Sequence, residues 1–169
     1  MESVHVIITG GTIDSSYSPA EETARPNEYT VIPTYLMEKI KPYPALSFET
    51  ICMLDSGDIT DGIRNQIAEA IRKSQSRKIV ITHGTNTMQK TAEYLAALPD
   101  VVQKTVILTG AMIPIKEFAM SDGGFNLGFA LAEALSRPAG VYVCMNACTF
   151  PAGCVTKNFA AGRFEGLSS

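Results

Sequence analysis

Val4-His5-Val6-Ile7-Ile8-Thr9, a short run rich in β-branched residues, ends in the turn Gly10-Gly11-Thr12 near the start of the chain. A nearly continuous apolar run that stops at glycine is typical of a strand buried on both faces. Strands of this kind belong to parallel sheets that are covered by helices on both sides. This first segment therefore favours an α/β fold.

Further along the chain, similar runs alternate with amphipathic stretches of helical length. The other predicted strands are residues 48–54, 78–82, 105–109 and 141–145. Helices are predicted around Ile63 to Ile71, around Met88 to Leu95 and over residues 125–135. The pattern predicts a single-domain, doubly wound α/β fold, Rossmann-like or flavodoxin-like, with a mostly parallel sheet and helices on both faces.

In such a fold, ligands bind at the carboxyl ends of the strands. Four predicted strands are followed there by turns rich in glycine and hydroxyl groups: Gly10-Gly11-Thr12, Asp55-Ser56-Gly57-Asp58, His83-Gly84-Thr85-Asn86 and Gly110-Ala111-Met112. Residues 14–33 are polar and too long for an ordinary connection, which predicts a mobile lid beside Thr12.

The composition of the 169 residues argues against several classes of protein. The net charge is −3 and the basic residues are scattered, so a nucleic-acid partner is not expected. No apolar run approaches the roughly 20 residues that cross a bilayer, and the N-terminus lacks a signal-peptide pattern, which predicts a cytoplasmic protein without a membrane partner. Four cysteines without a CxxC pair, together with two histidines, predict no metal site, and no motif predicts a cofactor.

Thr12 is the first candidate for chemistry. A threonine hydroxyl needs a neighbouring base before it can attack a carbonyl carbon, and the oxyanion that forms needs donors. Gly11 would let the backbone approach a substrate closely and would leave its amide free. The alternative is a phosphate-binding turn, although neither GxGxxG nor GxxxxGK[ST] occurs.

Thr85 and Lys157 are a second pair of candidates. Thr85 could supply another hydroxyl to the same cleft, or it could cap the helix that begins near Asn86. Lys157 is either an ordinary solvated lysine or, if burial beside Thr85 lowers its pKa, a neutral amine that acts as a general base.

Four motif blocks give the chain a resemblance to a known family. They are Ile8-Thr9-Gly10-Gly11-Thr12-Ile13, Ile81-Thr82-His83-Gly84-Thr85-Asn86-Thr87-Met88, Leu108-Thr109-Gly110-Ala111-Met112 with Ser121-Asp122-Gly123-Gly124-Phe125-Asn126-Leu127 behind it, and Val155-Thr156-Lys157. In order and spacing these blocks resemble the bacterial-type L-asparaginase family over almost the whole chain. Residues 1–169 look like a short form of that family's N-terminal catalytic domain, without its C-terminal domain.

The resemblance implies an amidohydrolase that converts L-asparagine to L-aspartate and ammonia through a threonyl acyl-enzyme. Thr12 matches the nucleophile, and Tyr29, with Tyr17 as the alternative, matches the lid tyrosine that helps activate it. Thr85 and Lys157 match the hydroxyl and the lysine that position or activate the attacking water. The residues expected to bind the substrate are Gly11, Ser56, Asp58, Asn86 and Ala111.

The chain departs from the family pattern at Asn86 and in its length. The family usually has Asp at this position, where the carboxylate holds the substrate's α-ammonium group. Asp58 is the obvious substitute, although it could equally cap the following helix. Without a second domain, either a homo-oligomer interface completes the site or the chain is catalytically weak. The apolar stretch 149–153 is either a subunit contact or local packing.

Two other functions stay open. An amino-acid binding domain could keep the fold and the cleft without efficient turnover. A nucleotide-binding flavodoxin-like domain could use the glycine turns to hold phosphate. Of the three functions, only the amidohydrolase predicts that the chain releases ammonia and that this release disappears in Thr12→Ala.

Overall fold

A computed structural model describes residues 2–116 and 119–167. Its strands are β1 (Ser3–Gly10), β2 (Ser15–Ser18), β3 (Thr23–Pro26), β4 (Ala45–Leu54), β5 (Lys78–Thr82), β6 (Thr105–Thr109), β7 (Gly140–Met145), β8 (Cys148–Pro151), β9 (Val155–Asn158) and β10 (Arg163–Gly166). Its α-helices are α1 (Ile32–Thr34), which continues as a π-helix (Tyr35–Ile40), α2 (Asp61–Lys73), α3 (Met88–Ala96) and α4 (Gly123–Ser136). None of the described helices is long and apolar enough to cross a membrane.

The central sheet has the strand order β4-β1-β5-β6-β7-β8. Its first five strands are parallel, and β8 runs antiparallel to β7 at the edge. From β1 the chain crosses to β4 on one side and then returns past β1 to β5 on the other. This change of winding direction places the topological switch point of a doubly wound sheet between β1 and β5.

Each face of the sheet packs against helices through its own apolar cluster. On one face, α2 and α3 contribute Ile67, Ile71 and Leu95. On the other face, α4 contributes Leu127 and α1 contributes Ile32. A fully buried Leu or Ile side chain contributes about 1.5–3 kcal/mol, so these two layers hold the strand ends in place.

The structure confirms the predicted α/β fold and all five predicted strands. It adds three features that hydrophobic periodicity did not predict. Part of the polar segment 14–33 is a hairpin of β2 and β3, residues 149–151 belong to the edge strand β8, and β9 pairs with β10 in a separate two-stranded sheet.

Candidate functional site

The turns that follow β1 and β5 flank the switch point of the sheet. Gly11 and Thr12 follow β1, and His83, Gly84 and Thr85 follow β5. A crevice opens at such a point because the two chains leave neighbouring strands toward opposite faces. The two candidate threonines therefore lie on the two turns that border this crevice.

Glycine lets these turns touch through their backbones. Gly11 has a φ of 76°, and a Cβ atom built on it would lie 2.3 Å from the Gly84 nitrogen. A Cβ atom on Gly84 would lie 2.5 Å from the Cβ atom of Ser56. Both contacts are impossibly short, so the turns after β1, β4 and β5 come together only because two side chains are missing.

Thr12 is half-buried at the start of the 3-10 turn Thr12–Asp14. The preceding turn is fixed, because the Gly11 amide donates to the Leu54 carbonyl (2.8 Å) and the Gly11 carbonyl accepts from the Ser15 hydroxyl (2.8 Å). The expectation of a free Gly11 amide is therefore wrong: packing against β4 uses it. The Thr12 hydroxyl has no hydrogen-bond partner within residues 2–116 and 119–167, which leaves it available to a substrate.

Lys157 reaches the turn after β5 from β9. Its Nζ donates to the Thr85 hydroxyl oxygen (2.8 Å) and to the Asn86 side-chain oxygen (2.6 Å), and it lies over the Phe159 ring, 4.8 Å from the centroid. Burial lowers the pKa of Lys157, while the negative charge of Asp55 acts in the opposite direction. The structure thus brings the candidate lysine and the second candidate threonine into contact.

Thr85 does not cap a helix. The helix α3 begins at Met88, after Thr87, and has no side-chain cap. The Thr85 oxygen is buried and accepts the Lys157 hydrogen bond, and its own proton has no acceptor among the residues that the structure describes.

Ser56 links the turn after β4 to the turn after β5. Its hydroxyl oxygen accepts from the Asn86 amide (3.2 Å), and its carbonyl accepts from the Thr87 hydroxyl (2.6 Å). Within the described part of the chain the Ser56 hydroxyl donates to no group, so it retains a donor for a carboxylate.

Asp58 and Asp55 are exposed on the same turn. Asp58 is not the cap of α2, because the Thr60 side chain accepts from the Ile63 amide in that role. Asp55 accepts from the Gly57 amide (2.9 Å). Both carboxylates contribute to raising the pKa of Arg25 on β3, although the ion pair between Arg25 and Glu21 contributes most.

The two candidate tyrosines differ in position and exposure. Tyr17 lies on β2 and is 47% exposed, whereas Tyr29 lies after the hairpin and is 78% exposed. Asp14 anchors the segment between them: its buried carboxylate accepts from the Asn27 side chain (3.1 Å) and from the Val31 amide (2.9 Å). The predicted lid is therefore attached, at its base, to the turn that carries the candidate nucleophile.

His83 is buried beneath the turn after β5. Its Nδ1 lies 2.8 Å from the Gly84 carbonyl oxygen, and its Nε2 lies 2.9 Å from the Thr91 hydroxyl oxygen. The same hydroxyl oxygen accepts from Arg64 Nε (3.1 Å). Burial lowers the pKa of His83 to about 4, so the imidazole is neutral at pH 7. Both ring nitrogens are occupied, which makes His83 a support for the turn and not an available base.

Ala111 is buried on the turn after β6, which lies against the turn after β5. The carbonyl of the preceding Gly110 accepts from the Asn126 side chain (3.0 Å), and the amide of the following Met112 donates to the Asp122 carboxylate (3.0 Å). The N-terminal end of α4 therefore fixes this turn, and Ala111 can offer only backbone atoms and one methyl group.

Sequence reasoning did not single out Asp55, Asp14 or Arg25, which lie on or near the turns of the candidate site. Asp55 follows a strand directly and Asp14 comes two residues after Thr12, so position relative to the strand ends was an available signal. Arg25 gave no such signal, because it approaches the rim only through the hairpin of β2 and β3.

The chain is similar to known proteins of one family. The chain is 32% identical over 164 residues to the probable periplasmic L-asparaginase of Haemophilus influenzae, covering 93% of this chain and 46% of that protein. It is 32% identical over 165 residues to the glutaminase-asparaginase of Acinetobacter glutaminasificans, covering 92% and 49% respectively. The chain thus spans about half the length of these relatives.

A solved structure has the same fold. The probable cytoplasmic L-asparaginase from Campylobacter jejuni superposes with a TM-score of 0.81 at 28% identity, over 98% of this chain and 52% of that one. The family model of the asparaginase N-terminal domain matches residues 3–169. The chain therefore belongs to the asparaginase family and corresponds to its N-terminal domain.

Proposed function

We propose that the chain hydrolyses a small carboxamide, L-asparagine first, to the carboxylate and ammonia. The hydrogen bond between Lys157 and Thr85 carries the proposal, because it couples an amine of lowered pKa to a buried hydroxyl beside the Thr12 turn. Asparaginase relatives of about 30% identity support an activity of this class.

In the proposed reaction the Thr12 oxygen attacks the amide carbon, and the proton of its hydroxyl passes to the leaving nitrogen. A hairpin tyrosine, Tyr29 or Tyr17, assists this transfer. Ammonia departs and leaves an acyl ester on Thr12. Water then attacks the ester, while Lys157 in its neutral form accepts a proton through the Thr85 hydroxyl. As the ester bond breaks, this proton passes to the departing Thr12 oxygen, which restores the Thr12 hydroxyl and the neutral amine and releases the acid.

The proposed substrate contacts surround these groups. The Ser56 hydroxyl donates to the substrate carboxylate, and the backbones of Gly11 and Ala111 form the walls of the crevice. Asn86 offers its side-chain amide, and the neighbouring turn offers a carboxylate, that of Asp58 or that of Asp55.

Ammonia release from L-asparagine, compared between the native chain, Thr12→Ala and Thr12→Ser, tests this proposal. We expect no turnover in Thr12→Ala and residual turnover in Thr12→Ser, which keeps a hydroxyl. Added hydroxylamine should divert part of the native product to the hydroxamate, since it competes with water for an acyl-enzyme. Unchanged turnover in Thr12→Ala would refute Thr12 as the nucleophile.

A second candidate function is amino-acid binding without efficient turnover, and Asn86 favours it. An amide at this position brings no charge to a substrate ammonium group, unlike a carboxylate. Absence of ammonia release from the native chain, together with measurable binding of L-aspartate, would select this function.

We also propose that the protein is a cytoplasmic homo-oligomer whose partner subunit covers the open side of the site. Phe159, which lies beside Lys157, is 73% exposed, and large exposed apolar side chains often mark interfaces. Light scattering on the protein as it elutes from a size-exclusion column would measure its molar mass. A mass equal to that of one chain, at the concentration used for the activity assay, would contradict the proposal.

A further inference from the structure

Asp55 lies where the two candidate threonine turns meet. The carbonyl of Leu54, which precedes it, accepts from the Gly11 amide (2.8 Å). The backbone and side chain of Ser56, which follows it, bind the turn after β5. Asp55 is therefore fixed between the turn that carries Thr12 and the turn that carries Thr85.

The Asp55 carboxylate has an unused acceptor. One oxygen, Oδ1, accepts from the Gly57 amide and fixes the orientation of the group. The other oxygen forms no hydrogen bond inside residues 2–116 and 119–167, and the side chain is exposed at the rim. A carboxylate held in this way can accept from a ligand without rearrangement.

The two cations near Asp55 already have closer partners. Lys157 donates to Thr85 and Asn86, and Arg25 pairs with Glu21. The negative charge of Asp55 raises the pKa of both Lys157 and Arg25. Asp55 lies between Leu54 and Ser56, the two residues that bind the candidate threonine turns, whereas Asp58 lies at the far end of the 3-10 turn Ser56–Asp58.

We propose that Asp55, and not Asp58, accepts the α-ammonium group of the substrate and makes the site selective for amides of free amino acids. The inference rests on the proposed function, because it concerns the same crevice. Asn86 occupies a position beside Lys157 where it brings no charge, so Asp55 supplies the negative charge that an ammonium group requires.

Calorimetry can test the proposal by measuring the affinities of L-aspartate and succinate, which differ only in the ammonium group. The proteins compared are the native chain, Asp55→Asn and Asp58→Asn. Asparagine at position 55 keeps an oxygen for the Gly57 amide, so the turn is preserved. Hydrogen bonds to charged groups correspond to about 10- to 100-fold in affinity. We expect the native chain and Asp58→Asn to prefer L-aspartate by about this factor, and Asp55→Asn to lose the preference while its affinity for succinate does not fall.

Three results would overturn the proposal: an unchanged preference in Asp55→Asn, a preference lost in Asp58→Asn instead, or no binding of L-aspartate to the native chain. The binding assay does not depend on turnover. If Thr12 is not a nucleophile, the preference for L-aspartate is still observed, whereas a mistaken role for Asp55 leaves that preference unchanged in Asp55→Asn. If the native chain turns over, the ratio of kcat/KM for L-asparagine to that for succinamate should follow the same pattern.

Discussion

Replacement of Thr91 by valine is expected to destabilise the protein, although Thr91 lies on α3, away from the crevice. The neutral His83 ring has one N–H group, and the Gly84 carbonyl can only accept, so we infer that Nδ1 carries the proton. Thr91 then donates to His83 Nε2 while it accepts from Arg64 Nε. Its hydroxyl satisfies two buried groups at once.

Valine has nearly the same shape as threonine, so Thr91→Val leaves no cavity and removes only these two hydrogen bonds. Each buried group left without a partner costs about 1–3 kcal/mol. The two unsatisfied groups together would cost about 2–6 kcal/mol of unfolding free energy. Because Arg64 keeps its hydrogen bond to Asp61 (2.7 Å), we expect the lower half of this range, about 2–4 kcal/mol. In a chain of this length each kcal/mol lowers Tm by about 2–4 °C, which predicts a fall of roughly 4–16 °C.

Urea unfolding followed by circular dichroism, with Thr91→Ser as the matched control, measures this loss. Serine keeps the hydroxyl and loses one buried methyl group, so we expect a cost of only about 1 kcal/mol. A valine variant as stable as the serine variant would refute the hydrogen-bonded chain from Arg64 to His83.

The remaining predictions concern the same turns. Gly11→Ala should lower the free energy of unfolding by several kcal/mol, because the new Cβ atom meets Gly84; a calorimetric Tm within 2 °C of the native value would contradict this. Lys157→Met should reduce kcat far more than it raises KM, because the proposed reaction requires a neutral amine at this position. The decrease of kcat at low pH, which protonation of Lys157 would cause, should disappear in this variant. An unchanged dependence of kcat on pH would exclude Lys157 as the base for Thr85. The His83 pKa is about 4 when folded and ordinarily about 6.5, so protonation of the unfolded state should lower stability as pH falls from 6.5 to 4, by up to about 3 kcal/mol. In urea titrations, His83→Asn should make the free energy of unfolding less dependent on pH between 6.5 and 4. An equally steep pH dependence in this variant would contradict the role of His83.

The sequence predicted the central strands well, because burial on both faces leaves a strong signal. The predicted strands 78–82 and 105–109 have the observed bounds. The strand predicted from Phe48 begins instead at Ala45, since an edge strand alternates polar and apolar residues at its start. The hairpin of β2 and β3 gave no periodic signal because it is short and largely exposed.

The positions of the candidate residues were predictable in part. Strand-end position marked Thr12 and Thr85, since glycine and hydroxyl residues accumulate there. The contact between Lys157 and Thr85 spans 72 residues and depends on the small sheet of β9 and β10, so only the family resemblance indicated it. The unused oxygen of Asp55 depends on side-chain orientation, which no sequence pattern records.

The backbone contact between the turns at Gly11 and Gly84 divides the crevice into an invariant part and an adjustable part. No side chain lies between these turns, so replacement of neighbouring residues cannot widen or narrow the space between the two threonines without displacing main chain. If the proposed function holds, new substrate ranges would arise at the edges of the crevice, at positions 55, 58 and 86 and on the hairpin. A mutational library restricted to those positions would sample changes in selectivity while the spacing of the two hydroxyl-bearing turns stays constant.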